Sequence, residues 1–326
     1  MDRRTFIAGG LSILAGPLTA EAQREGKVAR IGFLVMARNP GVEGAFPSGL
    51  AELGYVQGRD VIIEWRSAEG HTDRLAALAA EMVQLGAEVI VAGGPEARIA
   101  AMNATATIPI VVVGGVDPVA EGWAASLARP GGNVTGFTVT YPELIGKKLD
   151  ILKQLIPGLS RVAVISDPDA IPPSARLAST TAMRTAAHSL RLDVKVIEVR
   201  GPADLNAAFR QAIQDRRQAL VVAETAMLFA HRADIAERAR SAQLPTIGEW
   251  KPSASAGFLV SHGADLSDLL RRAAIHVDRI LKGAKPGTLP IERPTKFELV
   301  INLKTAKALS LTIPPPLLLQ ADQVIE

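Results

Sequence analysis

RVAVIS, residues Arg161–Ser166, decides the fold, because it begins a second time what VARIGFLV, residues 28–35, begins first. Each is a short β-branched run followed by a polar loop and then by an amphipathic helical stretch. After the first run come a helical stretch at 44–53 ending at Gly54, the strand VIIEW (61–65), and a helix with Leu75, Leu78, Met82 and Leu85 at helical spacing, for which Asp73 is the expected N-cap. VIVA (89–92), PIVVVG (109–114) and NVTGFTV (133–139) complete five strands. After RVAVIS the alternation repeats: a helix at 175–190, the strand VKVIEV (194–199), and a helix at 204–214 with Leu205, Phe209 and Ile213 on one face. The strand ALVVA (219–223), a helix at 231–241, PTIG (245–248) and GFLVS (257–261) follow. Strand–helix–strand repetition demands a parallel sheet covered on both faces. Two successive five-strand units predict an α/β protein of two doubly wound parallel-sheet lobes, and the restart at Arg161 argues against one large sheet.

Beyond residue 261 a helix is expected over 265–282, with an apolar stripe of Leu266, Leu269, Leu270, Ala273, Val277, Ile280 and Leu281, and Gly283 as its stop. FELVIN (297–302) is a last short strand before a Pro-punctuated tail. The helix needs a sheet face to cover, and the first lobe has fewer helices of its own. The chain therefore crosses between lobes near 138–141, 261–263 and 292–296, giving a three-strand hinge. The expected division is 27–139 plus 262–291 for lobe 1, and 140–261 plus 292–326 for lobe 2.

The first residues, MDRRTFIAGGLSILAGPLTAEA, read as a cleaved export signal over 1–22: Arg3 and Arg4, a mildly apolar stretch, and the small residues Ala20 and Ala22 flanking Glu21. The apolar stretch is shorter than the roughly 20 residues a membrane-spanning helix needs. Adjacent arginines followed by Thr5 and Phe6 fit a twin-arginine signal; an ordinary Sec signal carrying two arginines is the alternative. Both routes end in the periplasm. The sequence has no cysteine, which excludes disulfides, thiol catalysis, cysteine-ligated metals and a lipid-modified cysteine anchor. The expectation is an exported, soluble, untethered monomer. The chain is 48% hydrophobic but only 4% aromatic, which suits buried parallel strands under Ala-rich helices. A net charge of +3 with bases scattered among acids is a solvated surface and not a nucleic-acid footprint.

Four segments carry a resemblance: LAELGYVQGRDVIIEWRSAEG (50–70), DPVAEGWAASLARPGGNVTGF (117–137), RILKGAKPGTLPIERPTKFELVINLKTAKAL (279–309) and the terminal LTIPPPLLLQADQVIE. Through them the sequence resembles the ABC-transporter substrate-binding protein family that includes tryptophan-binding lipoproteins. The likeness implies a type I periplasmic-binding-protein fold, a ligand closed between the lobes, and an ABC permease in the inner membrane as partner. It does not name the ligand. Gly94-Pro95-Glu96 stands where many members carry Thr-Pro, and Ser166-Asp167-Pro168 where they carry an Asn-Pro run.

Ligands of open parallel sheets bind beyond the carboxyl ends of the strands. In lobe 1 that points to Arg38, Gly94, Glu96 and Asp117. The amides after Gly94-Pro95 could hold a carboxylate, with Arg38 as a bidentate grip; the plainer readings are a strand-to-helix turn and a solvated arginine. Asp117 is either a polar ligand contact, as the resemblance implies, or the cap of a helix starting near Pro118. Across the cleft, Glu224 or Asp167 could hold an amino group. Trp250 and Tyr141 offer apolar walls or core packing, and His262 sits beside a crossing.

Enzyme readings lack support. No GxSxG, HExxH, GxGxxG or Walker spacing occurs in the mature chain, and the five histidines show no metal spacing. No cofactor is expected. A small-molecule receptor feeding a permease is the leading expectation. A sensor module for a membrane receptor is the alternative, and a cytoplasmic repressor would need a helix-turn-helix where the export signal stands.

Overall fold

The computed structural model describes residues 28–115, 117–139, 143–170, 173–223 and 225–326. The expected export signal, Tyr141 and Glu224 lie outside the described residues.

The first unit runs β1 (Ala29–Val35), α1 (Pro40–Glu43), α2 (Ala45–Glu52), β2 (Val61–Ser67), α3 (Leu75–Gln84), β3 (Val89–Gly93), α4 (Pro95–Ala104), β4 (Ile110–Val113) and β5 (Val134–Phe137). Its sheet has the order β2-β1-β3-β4-β5, with every pair parallel. The second unit runs α5 (Glu143–Leu155), β6 (Arg161–Ser166), α6 (Pro173–Leu190), β7 (Asp193–Glu198), α7 (Leu205–Gln214), β8 (Ala219–Val222), α8 (Ala226–Ala230), α9 (Arg232–Ser241), β9 (Thr246–Gly248), α10 (Lys251–Ser255) and β10 (Val260–Ala264). Within a seven-stranded sheet these strands lie β10-β9-β8-β6-β7, the first order repeated. The recurrence read at Arg161 is thus a recurrence of topology: the first strand of each unit lies between the second and the third.

After β10 comes α11 (Leu266–Leu281), then β11 (Phe297–Asn302), α12 (Leu303–Ala308), α13 (Pro315–Gln320) and β12 (Gln323–Ile325). Asp265 caps α11 by accepting the Asp268 main-chain N–H at 3.0 Å. The buried stripe of α11, including Leu269, Ala273 and Val277, packs with Ile31, Phe33, Phe46 and Val111 in one core of the first sheet. The other face of that sheet is covered by α3 and α4 through Leu75, Met82, Ala97 and Ala101. The second sheet likewise has two cores: Leu149, Leu152 and Met183 on one face, Leu205, Phe209 and Ile235 on the other.

The chain passes between the sheets after β5, after β10 and before β11. There the passages run side by side: Thr138 N donates to the Glu292 carbonyl at 3.0 Å, Asp265 N to that of Lys296 at 3.1 Å, and β10 pairs antiparallel with β11.

Three expectations are corrected. Asp73 lies in a short 3-10 turn, and α3 starts at Leu75 without a side-chain cap. The strand expected at 257–261 is shifted to Val260–Ala264, because Gly257, at φ +119°, turns the chain first. FELVIN is not the last strand: in the tail, prolines open α13 at its first turn, where no N–H is needed, and β12 then pairs in parallel with β11.

Candidate functional site: a cavity between the two sheets

The carboxyl ends of both sheets open on one cavity of about 500 Å³, within the ~300–1,000 Å³ range of small-molecule sites. Lobe 1 contributes residues following β1 (Met36, Asn39), β3 (Gly94, Glu96) and β4 (Gly114, Gly115). The second sheet and its helices contribute Lys148, Arg176, Met183, Thr225, Phe229, Glu249 and Trp250. Most of the wall is apolar, so each polar atom on it matters.

Gly94 is required by its backbone: φ is +91° and ψ 171°, where a side chain would be strained. This turn lets Pro95 open α4 and directs Glu96 to the cavity. The Glu96 carboxylate accepts a hydrogen bond from its own main-chain N–H, while its Oε2 is buried without a partner. Burial holds this carboxyl above its usual range, and the Asp167 charge from the other lobe raises it further. Two residues on, the buried Arg98 is committed to Glu121 at 2.8 Å and stacks over Trp123, whose Nε1 also donates to Glu121. Asn39, only 8% exposed, lines the same wall, and its Nδ2 is buried without a partner.

The opposite wall is differently built. Lys148 on α5 pairs with Glu249 at 3.1 Å, with their side chains 5% and 17% exposed. Gly263 on β10 makes room for this pair: a Cβ there would sit 2.4 Å from the Glu249 Cγ and 2.5 Å from its carbonyl oxygen. Trp250 stands edge-on to Phe229 with ring centroids 5.0 Å apart, giving an aromatic corner.

Of the nine residues expected from sequence, Gly94, Glu96 and Trp250 line the cavity. Asp167 lies just behind it: Ser166 and Pro168 reach the cavity, while the Asp167 carboxylate accepts from the main-chain N–H groups of Asp169 and Ala170. Burial raises its pKa as well. Arg38 turns away, stacking over Trp65 at 4.5 Å and pairing with Glu43 at 2.7 Å. Asp117 closes its own turn, accepting from Val119 N and Ala120 N at 3.0 and 3.1 Å, and is not on the cavity wall. His262 lies in β10, off the wall, its pKa lowered by burial and then by Lys148 and Lys147.

Asn39 lies in the loop 36–40 beyond β1 that the strand-end rule picks, but neither it nor Lys148 was singled out from the sequence. Lys148 was legible: with Leu152 and Leu155 it repeats at i, i+4, i+7, the buried face of α5. Asn39 had no such signal, since its burial comes from the tertiary fold around a loop.

Two parallel sheets of the same order, facing each other across an apolar cavity and linked by three passages, define a two-lobed binding protein of the type I periplasmic-binding-protein fold. The chain belongs to the ABC transporter substrate binding protein family, whose model matches residues 36–325. A curated relative, the tyrosine-binding protein of Clostridioides difficile strain R20291, is 26% identical over 288 residues, covering 87% of this chain and 82% of the relative. Among solved structures, a conserved domain protein from Vibrio cholerae matches with a TM-score of 0.82 at 24% identity, covering 91% of this chain and all of that one. An ABC domain from Streptococcus pneumoniae in complex with L-Trp matches equally, at TM-score 0.82 and 24% identity, covering 92% of this chain and all of that one. Among the described residues no helix is long and apolar enough to cross a membrane.

Proposed function

We propose that this chain is the periplasmic solute-binding component of an ABC importer, taking a small organic ligand, an amino acid or another small carboxylate, into the cavity between its lobes. The observation that carries the reading is the cavity itself, about 500 Å³, walled from both sheets by the loops beyond their strand ends. A ligand there touches both lobes at once and so favours the closed arrangement over the open one. The moving parts are residues 27–139 with 262–291 and residues 140–261 with 292–326, and the closed monomer is the form a membrane permease would recognise. The aromatic corner of Trp250 and Phe229, and relatives whose names and complexes specify tyrosine and tryptophan, support an amino acid. The paired arginines at the start support export to the periplasm.

A thermal-shift screen of the mature chain against amino acids, other small carboxylates, purines and sugars tests this. A ligand at 100 times its Kd adds about 2.7 kcal/mol to the folded state and must raise Tm. An amino acid or carboxylate is expected among the hits; shifts confined to purines or sugars would refute the ligand class.

A further inference from the structure

Among the described residues of the cavity wall, two buried hydrogen-bonding atoms of opposite kind, both in lobe 1, are unmatched. One is an acceptor, Oε2 of Glu96; the other is a donor, Nδ2 of Asn39. Buried polar atoms are nearly always paired in a folded protein, so each such atom calls for an explanation. The two stand on neighbouring elements: Asn39 follows β1, Glu96 follows β3, and those strands are hydrogen-bonded to one another.

The start of α4 would ordinarily draw an anion. Here Glu96 already fills that role, its carboxylate taking its own main-chain N–H. A ligand carboxylate arriving at Gly94-Pro95 would meet a resident carboxylate, with Asp167 adding a second negative charge from the facing lobe. Among the described cations that line the cavity, Lys148 and Arg176, only Arg176 is without an ion pair. Arg98 is held by Glu121, Arg38 by Glu43, and Lys148 by Glu249. Arg176, exposed on α6, lines the second wall and forms no ion pair among the described residues, so it can face the acidic end of a ligand from across the cavity.

We propose that Glu96 and Asn39 select the ligand's polar head, Glu96 taking an ammonium and Asn39 an acceptor oxygen, so that the cleft admits amine-bearing acids and turns away plain carboxylates. This rests on the reading of the cavity as a solute site, and it narrows that reading by excluding ligands whose only polar group is an acid. Because an ammonium–carboxylate contact in an apolar cavity is charge-assisted, its loss is costly.

The test is calorimetric titration of the mature chain with two sets of probes, each keeping one body and changing only the head. The first set is L-tryptophan, tryptamine and indole-3-propionate; the second is L-leucine, isoamylamine and 4-methylpentanoate. In a body that binds, the amino acid is expected to bind at least about tenfold tighter than the plain acid, the size of one charge-assisted hydrogen bond. Glu96→Gln, which keeps the shape and removes the charge, should cost the amino acid a similar factor and leave the plain acid bound at least as tightly as by the parent. A plain acid binding as tightly as its amino acid, or a Glu96→Gln protein binding the amino acid like the parent, would overturn the proposal while leaving the solute-binding function standing. Absence of binding by all six probes would remove the amino-acid reading and this inference with it.

Discussion

The two walls of the cavity solve the same problem in opposite ways. On the second wall the buried charges are matched within the protein, with the exposed Arg176 left over: Lys148 and Glu249 neutralise each other at 3.1 Å, and Asp167 is held by two main-chain N–H groups. On the first wall, Oε2 of Glu96 and Nδ2 of Asn39 are left without partners. A wall whose buried charges are already matched gains little there from a polar ligand and acts mainly as an apolar cover. A wall with unmatched atoms is destabilised until something fills it, and that difference is affinity held in reserve. The lesson is that function in this cleft lies in what is left unsatisfied.

The largest effect should come from breaking the matched wall. Lys148→Ala removes the buried ammonium that pairs with Glu249, and urea unfolding should show a loss of about 3 kcal/mol. Little loss would mean that the second wall is not closed by this pair. On the unmatched wall the sign reverses. The folded-state pKa of Glu96 lies above its unfolded value, so between those two values the native state holds a proton that the unfolded chain has released. Stability from this group is therefore present at low pH and is lost as pH rises from the unfolded value through the folded one. Glu96→Gln abolishes that slope. Its Tm relative to the parent should rise with pH and then level off, leaving the variant at least as stable at neutral pH. A variant less stable than the parent at neutral pH would show that Glu96 is satisfied after all. The smallest change is expected at Asp117. Asp117→Ala removes two main-chain hydrogen bonds in an exposed turn, costing about 1 kcal/mol, and should leave ligand affinity unchanged; a weakened ligand would bring Asp117 back to the site.

Much of this architecture could be read directly. RVAVIS and FELVIN coincide with β6 and β11, because continuous β-branched runs between turn residues allow one reading. The stripe of α11 was plain for the same reason, and its need for a sheet face placed it on the first sheet. The closing segment was harder: IPPPLLLQADQVIE reads only as a Pro-punctuated tail because proline breaks most elements, yet it opens α13 where proline is tolerated. Within the cleft, position along a strand was a good guide, and it found Gly94, Glu96 and Trp250. Orientation was not legible. Arg38 and Asp117 follow the right strands, but a neighbouring Glu43 and Trp65 turn the one aside, and the other is used up by its own turn. Whether a polar side chain is satisfied depends on partners distant in sequence, as Glu249 is from Lys148, and no local pattern encodes that.

The placement of α11 also bears on the order in which the molecule takes shape. The second lobe draws its five parallel strands and most of its helices from one unbroken stretch, β6 to β10. The first lobe has all its strands by Phe137, yet one face of its sheet stays bare until Leu269, Ala273 and Val277 arrive. On a ribosome, the half made first thus waits for most of the second lobe before its sheet is covered. Until then it displays a sticky sheet of Ile31, Phe33 and Val111, with the stretch from α5 to β10 as the loop to be closed. A chain of this design has a long vulnerable interval during synthesis, and holdase chaperones should engage it through the face that α11 later covers.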